Sequence, residues 1–254
     1  VSASLLEVDM LSVRFGGLLA VDNVSFSIYG NEIVGLIGPN GAGKTTIFNT
    51  LCGMIRPTSG HARFDGRDMS GLPPERVAGL GIARTFQNVR LFGELSLREN
   101  VIVGAYRAGG CGILGAMLRL PRHGRLERLA RERADEWLER TGLAAYAEHS
   151  ATSLPFGLQR VAEVARAMAS RPRLLLLDEP AAGLNEPEKH RLGELLKAIV
   201  RETQCALLLV EHNMPLVMGL VDRAVVLDFG RKIADGLPQD VARHAAVVEA
   251  YLGA

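Results

Sequence analysis

The sequence predicts an α/β fold: a mostly parallel sheet with an antiparallel β subdomain near its start and a helical insertion in its middle. Three observations carry this. The runs Ile33 to Ile37, Leu174 to Leu177, Ala206 to Val210 and Ala224 to Leu227 are apolar at nearly every position, as strands buried on both faces are. Helical segments separate the later runs, which implies right-handed crossovers between parallel neighbours. Between the first run and the others, the stretch from about 88 to 165 contains no convincing strand. The expected boundaries are therefore 1–87, 88–165 and 166–254, the last part closing with C-terminal helices.

Each element has its own warrant. Leu6 to Met10 and Val13 to Phe15 read as strands before the turn Gly16-Gly17, and Ala20 to Ile28 alternates in part, as a half-buried antiparallel strand would. Gly30-Asn31 turns the chain into the run from Ile33. A helix over 44–52 ends before Pro57-Thr58-Ser59-Gly60, and His61 to Phe64 is a short strand closed by Asp65-Gly66. Ser96-Leu97-Arg98-Glu99 is a capping box opening a helix to about Tyr106. A charged helix follows from about Gly124 to Arg140, and another from Leu158 to Ser170. In the last third, helices over Pro187 to Arg201 and Met214 to Leu220 alternate with the apolar strands.

Composition narrows the function classes. With 254 residues and 48% apolar content, the chain can build a sizeable core. Its 29 basic and 28 acidic residues leave a net charge of +1, so no global field favours nucleic acid. No apolar run reaches the length of a membrane-spanning helix, and Val1 to Leu6 lacks the features of a secretory leader. Cys52, Cys111 and Cys205 lack metal-ligand spacing. Cys52 and Cys205 sit in apolar contexts that suit buried thiols in a reducing, cytosolic compartment. Arg119, Arg122, Arg125, Arg128 and Arg131 recur every three residues among acids. That pattern fits a solvated helix with internal ion pairs, or contact with anionic lipid.

The chemistry begins at Gly38-Pro39-Asn40-Gly41-Ala42-Gly43-Lys44-Thr45-Thr46, between a strand and a helix. Glycines there let successive backbone N–H groups converge on an anion at the positive end of the helix dipole. Lys44 supplies a cation for the β- and γ-phosphates of a nucleoside triphosphate, and the Thr45 hydroxyl can ligate Mg²⁺. Leu174 to Leu177 then carries Asp178 and Glu179 out at its carboxyl end. Asp178 suits Mg²⁺, usually through water, and Glu179 suits the general base for an attacking water. His212, just past the run Ala206 to Val210, can donate to a γ-phosphate.

With these motifs in this order, the chain resembles the nucleotide-binding subunit of an ATP-binding-cassette (ABC) transporter over nearly its whole length. The resemblance implies a P-loop NTPase (RecA-like) core that binds ATP and Mg²⁺. Gly38 to Thr45 matches the family's Walker A, Leu174 to Glu179 its Walker B, and Ala181 to Asn185 its D-loop. Gln87 matches the Q-loop glutamine, with roles toward Mg²⁺ and the attacking water, and His212 the switch histidine. Phe15 falls where the family has an aromatic that stacks on adenine, a strand phenylalanine buried in the core being the other reading. Val21 is expected beside it at the nucleotide.

The signature segment departs from the usual Leu-Ser-Gly-Gly-Gln. Here Leu154-Pro155-Phe156-Gly157-Leu158 precedes Gln159-Arg160, and Asn185 replaces the D-loop aspartate. Pro155 brings neither a hydroxyl nor an N–H, whereas Gly157 keeps its N–H at a helix start. These departures fit an impaired trans site or a branch with a relaxed signature. Importers of branched-chain amino acids are such a branch. Arg14 to Val21, Glu179 to Asn185 and terminal Ala250-Tyr251-Leu252-Gly253 resemble it too, and Gly109 to Pro121 suits the longer of its two ATPase subunits. Importers or exporters of urea, amides or lipid are the alternative, and a non-transport ABC protein a more distant one. The resemblance implies a head-to-tail pair in which Pro155, Phe156, Gly157 and Gln159 face the partner's nucleotide. It also implies two permease subunits, an external solute-binding protein reached through them, no nucleic acid, and a peripheral position on the cytoplasmic face of the inner membrane.

Overall fold

The computed structural model describes residues 3–85, 90–106, 121–212 and 214–252. Among them an antiparallel sheet is formed by Leu6–Phe15 (β1), Leu18–Ile28 (β2), Ser59–Phe64 (β4) and Arg67–Asp68 (β5), in the order β2-β1-β4-β5. A second sheet contains Ile33–Ile37 (β3), Ile82–Arg84 (β6), Leu174–Asp178 (β7), Ala206–Val210 (β8), Arg223–Asp228 (β9) and Arg231–Gly236 (β10). Its order is β10-β9-β3-β8-β7-β6, parallel throughout except for the β9–β10 pair.

The apolar runs explain the layering. Side chains of a strand alternate between faces, so Ile33, Ile37, Leu175, Leu177, Leu207 and Leu209 pack into one core. Val34, Leu36, Leu174, Leu176, Ala206, Leu208 and Val210 pack into the other, shared with the antiparallel sheet. Each fully buried leucine contributes about 2 kcal/mol, which offsets the roughly 1–2 kcal/mol of backbone entropy lost per ordered residue. The parallel sheet is therefore self-supporting only because both faces are covered.

The helices are Lys44–Leu51 (α1), Pro74–Leu80 (α2), Leu97–Ala105 (α3), Pro121–Arg140 (α4), Phe156–Ala169 (α5), Glu186–Thr203 (α6), Met214–Leu220 (α7), Pro238–Val241 (α8) and Ala245–Leu252 (α9). The capping box at α3 is as the sequence reads, with the Ser96 hydroxyl accepting from the Glu99 N–H at 3.2 Å and Glu99 accepting from the Ser96 N–H at 2.8 Å. Along α4, Ala130, Ala134, Trp137 and Leu138 make one buried stripe. Its exposed face carries the ion pairs Arg128–Glu132 at 3.9 Å and Arg140–Glu136 at 3.1 Å, which favours the solvated-helix reading of the arginine repeat. Arg119 lies outside the described residues.

Several elements differ from expectation. The two strands read at Leu6 to Met10 and Val13 to Phe15 are one strand, β1, bulged between Asp9 and Ser12. Met10 takes the bulge with φ 47° while its N–H donates to Ser25 Oγ at 2.7 Å. Helix α5 starts at Phe156, two residues before the expected Leu158, because Pro155 serves as its N-cap. Strands β5, β6 and β10 and helix α2 were not read from the sequence, whereas α8 and α9 are the helices expected near the end of the chain. Most are too short to show a period.

Candidate active site

Strands β7, β8 and β3 are adjacent and parallel, in a register that pairs Asp178 with Val210 and Val210 with Leu36. Their carboxyl ends therefore bring Gly38, Asp178, Glu179, Glu211 and His212 to one rim of the sheet, the usual crevice of parallel α/β proteins. At Gly38, φ is 145° and a methyl group would overlap the Leu227 carbonyl oxygen, so the loop leaves β3 along a path that requires glycine. At Gly43, φ is 101°, and the turn passes directly into α1. Asn40, Gly41 and Thr45 are exposed, Gly43 and Thr46 are half-buried, and Ala42 is buried.

Lys44 is buried, and its ammonium donates to the carbonyls of Gly38 and Pro39, both at 2.7 Å. Burial lowers its proton affinity, an effect opposed by the carboxylates of Glu179 and Asp178. The side chain is thus curled over the anion nest with its charge already compensated.

Glu179 follows β7 with φ 48°, a strained setting for a side chain of this kind. Its N–H donates to the Val210 carbonyl at 2.9 Å, and its Oε1 lies 2.8 Å from His212 Nε2. The candidate base and the candidate γ-phosphate donor are therefore already in contact. Asp178 is bonded to Arg84, whose Nη2 donates to Oδ2 at 2.8 Å. Thr45 and Asp178 are the described donors suited to a divalent cation. No cluster of three potential metal-binding side chains occurs among the described residues. So sparse a donor set fits Mg²⁺, which keeps several waters and takes its remaining ligands from substrate phosphates.

Other candidates lie as follows. Phe15 is 47% exposed, so the buried-core reading of it falls and its ring is open to a ligand. Val21 is fully buried and packs under Gly43, which makes it a support of the loop rather than an open contact surface. Gln87 lies outside the described residues. Pro155 and Phe156 are exposed and Gln159 is half-buried, its amide donating to the Leu154 carbonyl at 2.7 Å. Gly157, at the start of α5, is buried, with the Glu188 carboxylate standing where a side chain at this position would begin. The reason is the capping box of α6, in which Glu188 turns back to accept from the Asn185 N–H at 2.9 Å.

Two further charged residues are drawn into the site. Arg84 meets Asp178 from the end of β6, a three-residue strand with no readable period. Glu211 is buried, accepting from the Ala181 N–H at 2.8 Å and the His212 N–H at 3.1 Å. It thereby ties the segment after Glu179 to the end of β8. The sequence places this carboxylate directly before the histidine, at the end of a wholly apolar strand. Both buried thiols are where the sequence puts them, at Cys52 and Cys205.

Between β6 and α2 on one side and α3 and α5 on the other runs a groove of about 860 Å³. Its walls are largely apolar, with Val77, Ile82, Leu91, Phe92, Val103 and Tyr106 among them. No helix among the described residues is long and apolar enough to cross a membrane.

Comparison with known proteins agrees with this geometry. Residues 21–182 match the ABC transporter family, and residues 231–254 match the branched-chain amino acid ATP-binding cassette transporter family. The chain is 46% identical to the high-affinity branched-chain amino acid transport ATP-binding protein BraF of Pseudomonas aeruginosa, over 99% of both chains. It is 45% identical to the protein of the same description, LivG, of Escherichia coli, again over 99% of each. Among solved structures, an ATP-binding cassette of an ABC transporter in its ADP conformation superposes with a TM-score of 0.87 at 27% identity, covering 100% of both chains. A nucleotide-free cassette gives 0.86 at 26% identity, covering 99% of this chain and 100% of that one. The crevice, the phosphate loop and these likenesses agree, and the chain belongs to the ABC transporter family, as an ATPase of the group that includes BraF and LivG.

Proposed function

We propose that this chain is the ATP-hydrolysing subunit of an importer of branched-chain amino acids. The observation that carries the reading is the 45–46% identity to LivG and BraF across 99% of each chain. A solute such as urea, an amide or a lipid would need a different membrane partner, and nothing in this chain favours one.

In this reading the phosphate loop from Asn40 to Thr46 holds the triphosphate, with Lys44 exchanging the carbonyls of Gly38 and Pro39 for phosphate oxygens. Phe15 offers a stacking face to adenine, and Val21 keeps Gly43 in place. Thr45, Asp178 and Gln87 would hold Mg²⁺, which, when bound, would neutralise charge developing on the phosphates. Glu179 takes the proton of the attacking water, in line with the γ-phosphate. His212, oriented by its contact with Glu179, donates to the γ-phosphate and reports its loss.

The phosphate loop lies at an open rim and needs a lid. A second ATPase subunit packed head to tail would supply one through its own signature, and Pro155, Phe156, Gly157 and Gln159 would cover the partner's nucleotide in return. The parts 1–87, 88–165 and 166–254 would then act as a β-rich nucleotide-binding part, a helical signature part and the second half of the core. The groove beside Phe92 and Tyr106 suits a short amphipathic helix from one of two permease subunits, whose apolar face would cover its exposed aromatics. That arrangement sets the chain peripherally on the cytoplasmic face of the inner membrane, with an external solute-binding protein beyond the permeases.

The test is uptake of radiolabelled leucine by cells lacking this chain, complemented with wild type or Lys44→Ala. Wild type should restore uptake, and valine and isoleucine should compete. Restoration by Lys44→Ala, or competition by urea or amides alone, would refute the assignment.

A further inference from the structure

We propose that Arg84 is a positioning residue for Asp178, fixing that carboxylate from the wall of the groove between the sheet and the helices. The proposal rests on the reading of Asp178 as a carboxylate of the Mg²⁺ site. Arg84 ends β6, next to β7 in the sheet, and its guanidinium is forked. Nη2 donates to Asp178 Oδ2 at 2.8 Å, and Nη1 donates to Asn49 Oδ1 at 2.6 Å. Asn49 stands one turn beyond Thr45 on α1. The fork therefore joins the helix that carries Lys44 and Thr45 to the strand end that carries Asp178.

The pair is largely withdrawn from water, with side-chain exposures of 11% for Arg84 and 8% for Asp178. Charge-assisted bonds in such a setting are short and directional, and a planar guanidinium holds two acceptors at a fixed angle in a way an ammonium cannot. Arg84 is itself held in place, its Cζ 5.9 Å from the centroid of the Phe48 ring. A carboxylate can accept at both oxygens, so Asp178 can keep Oδ2 on Arg84 while Oδ1 accepts from a cation-bound water. Partners of this outer kind orient a metal's carboxylate ligands, and their loss weakens the metal more than the nucleotide. Arg84 also lines the groove together with Cys52 and Met54. It is thus one polar group reachable from the groove that touches the metal carboxylate directly.

The experiment uses the full chain with Glu179→Gln, so that ATP is not consumed, and titrates Mn²⁺ into the ATP complex while free Mn²⁺ is read by electron paramagnetic resonance. Arg84→Lys should weaken Mn²⁺ by about tenfold or more, as loss of an outer-shell partner does, with ATP affinity in EDTA unchanged. Asn49→Ala, which removes only the second anchor, should give a smaller loss in the same direction and serves if Arg84→Lys does not fold. Asp178→Asn is the control and should weaken Mn²⁺ at least as much. If Asp178→Asn weakens Mn²⁺ while both other variants superimpose on the parent, the role of Arg84 is wrong. A loss of ATP affinity in EDTA equal to the Mn²⁺ loss would also overturn it, since that marks a purely structural effect. If Asp178→Asn itself has no effect, the reading of Asp178 fails as well.

Discussion

Replacing Glu179 by glutamine isolates the proton-accepting step, because the geometry leaves little else for the change to disturb. The backbone at this position is fixed independently of the side chain, by its φ of 48° and its bond to the Val210 carbonyl at 2.9 Å. Glutamine has the same shape and can keep the 2.8 Å contact with His212 through its amide. The pair is partly open to water, so losing the charge should alter stability by less than about 1 kcal/mol. Asp178 remains as the carboxylate that favours the cationic form of Lys44. Removal of a general base costs about 10²–10⁴ in rate, which corresponds to roughly 3–5 kcal/mol of barrier. Phosphate release at saturating ATP should fall by that factor while ATP affinity, measured by calorimetry, stays within about threefold, a change under about 0.7 kcal/mol. Steady multiple turnover within tenfold of wild type would show that the proton goes elsewhere.

Other outcomes follow from the same geometry. Lys44→Ala should weaken ATP by about 10- to 100-fold, the value of a charged hydrogen bond of roughly 1.5–3 kcal/mol, and unchanged affinity by calorimetry would contradict the phosphate role. Gly38→Ala forces a methyl onto the Leu227 carbonyl at a φ of 145°, so urea unfolding should show a loss of roughly 2–6 kcal/mol; a loss below about 1 kcal/mol, as for an ordinary surface change, would mean the loop has another path. Burial raises the Cys205 thiol from an ordinary 9.0 to about 12. A raised thiol stabilises the fold fully below its unfolded value, and that contribution fades as the pH climbs from 9.0 toward about 12, by up to ~1.4 kcal/mol per pH unit. Urea titrations at several pH values should therefore find the advantage of wild type over Cys205→Ala constant below about pH 8.5 and shrinking above it, and a constant gap throughout would contradict the burial argument.

The phosphate loop and the two carboxylates at the end of β7 were legible because each couples a short motif to an apolar run. A continuous apolar run marks a strand buried on both faces, and the residue at its end is then placed at the rim of the sheet. The residues that were not legible act across the chain. Arg84 reaches Asp178 over 94 positions, from a strand only three residues long. Glu188 lies against Gly157 because the capping box at the start of α6 folds its side chain back, which no local pattern around Gly157 announces. Val21 reads like a neighbour of the nucleotide by its proximity to Phe15, yet strand alternation turns it into the core while Phe15 stays open. The bulge in β1 reads as a break because Met10-Leu11 sets two apolar residues in succession, although the pairing with β2 resumes beyond it.

The most direct test is a reconstituted one. The chain, its partner ATPase and their permeases are incorporated in proteoliposomes, and ATP hydrolysis is followed as leucine-loaded solute-binding protein is added on the opposite side. Hydrolysis should rise with leucine-loaded binding protein, drive leucine accumulation, and disappear on Glu179→Gln with ATP still bound. Leucine accumulation that persists with Glu179→Gln in this chain, or hydrolysis indifferent to leucine but responsive to another solute, would contradict the proposed function.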